Sequence, residues 1–240
     1  MWQKPSPTIL KSLQKLSASA IPVIAPVIAI DGPSASGKGT VAQLVAGQLG
    51  FHYLDSGALY RIVALAAQQS NIAWDKADAL GKLAESLDIQ FKQNEIYLNG
   101  TQITEAIRSE EMSRGASEVA IHKPVRAALV HLQHSFRQMP GLVADGRDIA
   151  STIFTDAKLK IFLTASVEIR TERRYKQLIN KGLSANYDQI LADLQQRDLR
   201  DSARSASPLI QTADAVLLDT TQRNIEQAVA FVMTTYKNSH

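Results

Sequence analysis

The chain contains no cysteine, which excludes disulfides and thiolate metal sites and fits the reducing cytoplasm. It also has no long block of one charge sign. Its 26 basic and 23 acidic residues are interleaved, and the net charge of +3 is slight ground for a nucleic-acid partner. A phosphorylated small molecule satisfies the same excess. No acidic residue precedes Asp31. Lys11 and Lys15 interrupt the early apolar stretch that a signal peptide would need, so export is not expected. The run Ile21 to Ile30 is broken by Pro22 and Pro26 and is too short to span a bilayer, so no membrane partner is expected either. Repeats and low-complexity segments are missing. What remains is a chain of 240 residues with 45% hydrophobic and 20% charged residues. It has room for one good-sized domain carrying an insertion. Residues 1–24 read as a flexible N-terminal tail, and residues 25–240 as the domain.

The most informative stretch is Gly32, Pro33, Ser34, Ala35, Ser36, Gly37, Lys38, Gly39 and Thr40. It lies between the apolar run Val27 to Ile30 and a helical segment from Val41 to Leu49. A glycine-rich turn from strand into helix aims several N–H groups at one point, at the positive end of a helix dipole. Lys38 adds a point charge there. This is a phosphate cradle with one departure from the usual pattern. The residue after the lysine is normally Ser or Thr, whose hydroxyl binds magnesium. Here Gly39 intervenes, and the offset points Thr40 at phosphate rather than metal.

Periodicity outlines the rest. Short strands are expected at His52 to Leu54, Leu142 to Ala144 and Leu159 to Leu163, with a last buried strand at Ala215 to Leu218. Leu59, Ile62, Val63 and Ala66 mark one buried helix face, and further helices are expected near 75–87, 110–121 and from Pro124 to about Gln138. Residues 89–100 read as a small β-meander. Helices at about 167–181, closed by Gly182, and 188–204 follow, and Asn224 caps a final one. Five apolar strands with helical crossovers imply an α/β fold, a five-stranded parallel sheet with helices on both faces. The stretch 57–140 is too long for one crossover and reads as an insert. A shorter, arginine-rich excursion at about 166–187 reads as a helical lid.

Two charged faces stand out. Arg170, Arg173 and Arg174 share one helix face, and Arg197, Arg200, Asp201 and Arg204 share another. Either could be a solvated face with intrahelical ion pairs, since Glu168, Glu172 and Asp198 are near. Beside a phosphate cradle, arginine forks suit phosphate oxygens. A phosphate acceptor is already ionised near neutral pH, so transfer to it needs positioning and charge neutralisation rather than a general base. Asp145, at the end of an apolar strand, is placed to hold magnesium directly or through water. Arg147 and Asp148 occupy the turn after it. The five histidines show no metal-ligand spacing.

The segments IAIDGPSASGKGT, YLDSGALYR, LVADGRDI, KIFLTAS and QQRDLRDSAR, in this order, closely resemble those of the bacterial cytidylate kinases, over about residues 25–235. The resemblance implies the phosphate-loop (P-loop) nucleoside monophosphate kinase fold, with an enlarged monophosphate-binding insert and a short lid. It implies phosphorylation of CMP and dCMP by ATP with magnesium in a cytoplasmic monomer. Gly32 to Thr40 would hold the ATP phosphates. Ser117, Arg126 and Asp148 would read the cytosine edge, and Arg197 and Asp201 would hold the ribose hydroxyls. Arg61, Arg147 and Arg204 would grip the CMP phosphate with Ser56 beside them, and Arg173 would lie against ATP. Lys38, Arg147, Arg173 and Arg204 are thereby the expected catalytic residues. An adenylate-type kinase would have a shorter insert and a larger lid, and a non-enzymatic nucleotide-binding module would lack Lys38 or the arginines.

Overall fold

The computed structural model describes residues 24–92 and 95–239. The tail expected over residues 1–24 therefore falls outside the described residues, save Ile24, as does His240.

Five parallel strands form the central sheet: β1 (Val27–Asp31), β2 (His52–Asp55), β6 (Leu142–Gly146), β7 (Leu159–Thr164) and β8 (Val216–Asp219), in the order β2-β6-β1-β7-β8. All five residues of β1 and of β6 are buried. A parallel strand covered on both faces is largely apolar, and β1 shows how it divides its side chains before ending in Asp31. Val27 and Ala29 enter one core, with α2 (Ser56–Gln69), α4 (Glu110–Val119) and α5 (Lys123–Ser135). Ile28 and Ile30 enter the other, with α1 (Lys38–Leu49) and α8 (Ile225–Asn238). Leu59, Ile62, Val63 and Ala66 are buried as their spacing requires. The edge strand β8 differs from expectation: Leu218 is buried, but Leu217 is 52% exposed. With β7 alone beside it, β8 has one flank and part of one face open.

Between β2 and β6 the chain builds α2, α3 (Ala77–Ser86), an antiparallel three-stranded sheet, α4 and α5. That sheet comprises β3 (Ile89–Lys92), β4 (Glu95–Leu98) and β5 (Thr101–Gln102), the expected meander. Helix α5 stops at Ser135, short of Gln138, as the chain turns with Arg137 N–H bonded to the His134 carbonyl. Residues 166–187, read as the lid, comprise α6 (Val167–Asn180) and the link to α7 (Tyr187–Ala203). Gly182, at φ 73°, ends α6 as its sequence position suggested.

Neither periodicity nor turn chemistry pointed to a π-helical turn at Ile149–Ile153. The carboxylate of Asp31 explains its placement: it accepts from the N–H groups of Ile149 at 2.9 Å and Ala150 at 2.8 Å. Asp31 ends β1, and Gly146, its register partner, ends β6. One buried side chain therefore ties the phosphate loop to the turn carrying Arg147 and Asp148.

Candidate active site

Helix α1 begins without a side-chain cap, at Gly37 with φ 92°. Its first N–H groups are thus left for an external acceptor, at the positive end of the helix dipole. The loop before it is tightly seated. A β-carbon on Gly32 would lie 1.9 Å from the Leu163 carbonyl oxygen, so only glycine fits. Lys38 Nζ donates to the Pro33 carbonyl at 3.3 Å, folding the side chain back over the loop.

Loop and insert face each other across a cleft of about 1300 Å³. Ser34 to Thr40 line one side. Ser56, Arg61, Ser117, Asp145, Arg147, Asp148, Arg173, Arg197, Asp201 and Arg204 complete the set of expected residues on its walls. Three of the sequence-predicted residues do not reach the wall. Gly32 and Pro33, which open the loop, do not line the cleft, and Arg126 is buried behind Asp148, donating to Asp148 and to the Ala120 carbonyl. Arg126 thus meets the cleft through Asp148.

The cations are held by specific anions. Asp55 caps α2 by accepting from Ala58 N–H at 3.0 Å, and its other oxygen takes Arg61 at 2.5 Å. Arg147 Nε donates to Asp201 at 2.7 Å. Burial opposes its charge, but Asp201 together with Asp145 and Asp31 outweighs that cost and raises the Arg147 guanidinium above its usual range. Arg197 donates to Ser113 Oγ at 2.7 Å. Burial first, then neighbouring Arg147, push Arg197 down to about 10. Arg204 Nε donates to the Ser207 carbonyl at 2.5 Å, and its Nη2 stands 3.7 Å from Asp148 without a hydrogen bond.

Several nitrogens of this guanidinium crowd nonetheless lack hydrogen-bond partners. Arg61 Nε, Arg197 Nε, Arg200 Nε and Arg204 Nη2 are all buried with no hydrogen-bond partner, and so is Ser117 Oγ. Buried donors left unpaired are costly, so the arrangement is complementary to a multiply charged anion. Arg200, 33% exposed in its side chain and on the cleft wall, belongs to this group. The sequence placed it on the arginine face but gave it no role. Its spacing from Arg197 and Arg204 was the available signal.

The expected arginine face of α6 splits into three environments. Arg170 turns inward, binding Asp198 through both nitrogens and donating to the Ser34 carbonyl of the loop at 3.2 Å. Arg173 donates to the Ser36 carbonyl at 3.0 Å and to Thr220. Arg174 reaches across to Glu110 on α4.

Asp145 stands at the floor, where its Oδ1 accepts from Tyr53 Oη at 2.8 Å. Burial, with Asp55 beside it, pushes the Asp145 carboxyl up. Burial and Arg147 push the Lys38 ammonium down, and Asp145 acts in the opposite direction. No cluster of three or more His, Asp or Glu residues suited to a metal occurs among the described residues. A lone carboxylate at a phosphate cradle still fits magnesium, which keeps its waters and is held largely by substrate phosphates. Among the described histidines, His52 bonds the Met139 carbonyl and His122 the Trp74 carbonyl, both structural contacts.

Residues 28–238 match the family model for cytidylate kinase. The cytidylate kinase of Paraburkholderia phymatum is 58% identical over 212 residues, which cover 88% of this chain and 93% of that protein. That of Polynucleobacter asymbioticus is 56% identical over 214 residues, covering 89% and 97%. Among solved structures, an uncharacterized protein from Eubacterium ventriosum superposes with a TM-score of 0.50 at 11% identity, covering 88% of this chain and 98% of that one. That last likeness speaks for the fold alone.

Proposed function

The chain belongs to the cytidylate kinase family, and on that premise we propose that its cleft transfers the γ-phosphoryl group of ATP to CMP or dCMP through the residues assigned below. The observation that carries the assignment is the set of buried, unpartnered guanidinium nitrogens on Arg61, Arg197, Arg200 and Arg204, gathered opposite the uncapped start of α1.

The loop Ser34 to Thr40 and the α1 N-terminus hold the ATP phosphates, and Lys38 neutralises charge on them. Lys38 and Asp145, each disfavoured by burial as an ion, support each other's charge, and the incoming phosphates add to that of Lys38. Arg61, Arg147 and Arg204, with Ser56, take the acceptor phosphate, and Arg200 joins them. The acceptor oxygen is already ionised, so no side chain removes a proton from it. In-line transfer then depends on positioning and on guanidinium charge around the moving group. Arg173 spans from the loop carbonyl of Ser36 to Thr220 and lies against ATP. Magnesium, arriving with the nucleotide, supplies neutralisation of the phosphate charge. Asp145 is the carboxylate placed to engage it, directly or through water.

At the base end, Asp148 and Ser117 face the nucleobase, and Arg126 holds Asp148 from behind. Cytosine offers an amino donor where uracil has a carbonyl, so a carboxylate acceptor favours the former. Arg197 and Asp201 take the ribose hydroxyls.

A coupled assay with ATP and CMP, dCMP, UMP, AMP or GMP tests this. CMP and dCMP are expected to be phosphorylated fastest, and turnover confined to AMP or GMP would overturn the acceptor assignment. Lys38→Ala is expected to lose at least about a hundredfold in kcat with its melting temperature retained, in line with electrostatic stabilisation of transferred phosphate.

A further inference from the structure

We propose that Tyr53 is a positioning residue for phosphoryl transfer, supplying from β2 the hydroxyl that Gly39 leaves out of the phosphate loop. The inference rests on the reading of Asp145 as the carboxylate on the magnesium side of the site.

In the usual loop the residue after the lysine carries a hydroxyl. Here that residue is Gly39, inside the first turn of α1. A β-carbon built on it would lie 3.8 Å from both carboxylate oxygens of Asp145 and 3.6 Å from Tyr53 Oη. These are ordinary contact distances, so Gly39 is not required by crowding. A serine hydroxyl at that position would come within bonding reach of Asp145. The chain places a different hydroxyl there: Tyr53 Oη donates to Asp145 Oδ1 at 2.8 Å.

Sheet geometry makes that contact possible. Tyr53 pairs with Val143 in the parallel register of β2 and β6, and Asp145 follows two residues later. Side chains two apart share a face, so Tyr53 and Asp145 lie diagonally on the side covered by α1. Tyr53, partly buried, packs against the apolar cluster that includes Val41, Val45 and Val143. A rigid aromatic anchored below the loop thereby sets the rotation of a carboxylate at the cleft floor. Partners that orient a metal-side ligand commonly alter metal affinity by about tenfold or more when removed.

The test uses the full chain with Asp145→Asn, and with Tyr53→Phe, Gly39→Ser and the double variant Tyr53→Phe/Gly39→Ser, each of the latter also combined with Asp145→Asn for the coupling measurement. Two readouts are taken: the magnesium concentration giving half-maximal rate, and calorimetric affinity for Mn²⁺ in the presence of ADP. A third, the Tyr53–Asp145 coupling in urea denaturation without nucleotide or metal, reports on the pair alone. Tyr53→Phe is expected to raise the magnesium requirement and weaken Mn²⁺ binding, each by about tenfold, with KM for CMP unchanged. Gly39→Ser in that background is expected to recover at least half of both losses on a logarithmic scale. It should also restore coupling to Asp145 in the metal-free protein, which a serine acting only as a new metal ligand would not do. If Asp145→Asn shifts metal dependence and Tyr53→Phe does not, the proposal is overturned while the reading of Asp145 stands. Should Asp145→Asn shift neither, that reading falls and the proposal with it. A Tyr53→Phe protein whose only change is a lower unfolding midpoint also overturns the proposal, since a packing role would explain it.

Discussion

A single carboxylate, Asp31, is 2% exposed and does not line the cleft, yet it joins both halves of the site. Burial pushes its pKa up to about 7, against the lowering by the Ala150 and Ile149 N–H groups it accepts from. The sign follows from proton binding. Between the unfolded value near 3.8 and about 7, the folded form holds the proton more tightly than the unfolded chain. Stability from this group is therefore present at low pH and lost as pH rises through that window. Asp31→Asn removes the titration, so unfolding free energy of the variant minus that of the parent is expected to climb from pH 4 to 7 in urea denaturation. A flat difference would show that Asp31 keeps an ordinary acidity. The side chain's chemistry was invisible beforehand because nothing in an apolar strand ending in Asp says where its oxygens will find N–H groups. Arg126 carries the same lesson: the family resemblance implied a place at the cytosine edge, while its donation to Asp148 from behind depends on how α5 packs.

The helical elements divide by how their charges are paired. On α6, Arg170 is 5% exposed and bound to Asp198, whereas the Arg174 partner Glu110 is 59% exposed. Exposed ion pairs contribute about 0–1 kcal/mol. Breaking a buried one strands a desolvated charge and costs about 3 kcal/mol when both partners are deeply buried, less where one is partly wet. Arg174→Ala is thus expected to lower unfolding free energy by less than about 1 kcal/mol. Arg170→Ala should cost clearly more and raise KM for ATP, because Arg170 also holds the Ser34 carbonyl of the loop. Equal losses in the two variants would refute this distinction. Elements of this kind were legible where pattern and capping agree. Asn224 with Gln227 forms the reciprocal cap that starts α8, and Gly182 stops α6. The π-helical turn was not legible, because its cause lies on β1, far away in sequence. Strand β8 misled for a related reason: apolar composition does not reveal that a strand is at the sheet edge.

For the molecule as a whole, the cleft is marked by a slight excess of cationic over acidic side chains on its wall and by buried guanidinium N–H groups without partners. An anion that fills it stabilises the folded chain by mass action, about 2.7 kcal/mol at a hundredfold excess over Kd. CMP alone is therefore expected to raise the melting temperature by several degrees in a thermal shift experiment, and cytidine at the same concentration by far less. Equal shifts would place the binding energy in the base rather than the phosphate. Addition of salt should shrink the CMP shift as the guanidinium field is screened. The whole-chain architecture was readable from five apolar strands and one long intervening stretch; the guanidinium crowd was readable only in part, since spacing put Arg197, Arg200 and Arg204 on one face but nothing in it set Arg61 of α2 against them. The tie between Asp31 and the 149–150 backbone has a last implication, for protein engineers. The phosphate loop here is not a transplantable cassette. Moved to another scaffold with β1 and α1 alone, it would still grasp a polyphosphate, but the ruler that sets donor against acceptor would stay behind in β6 and the turn that follows it.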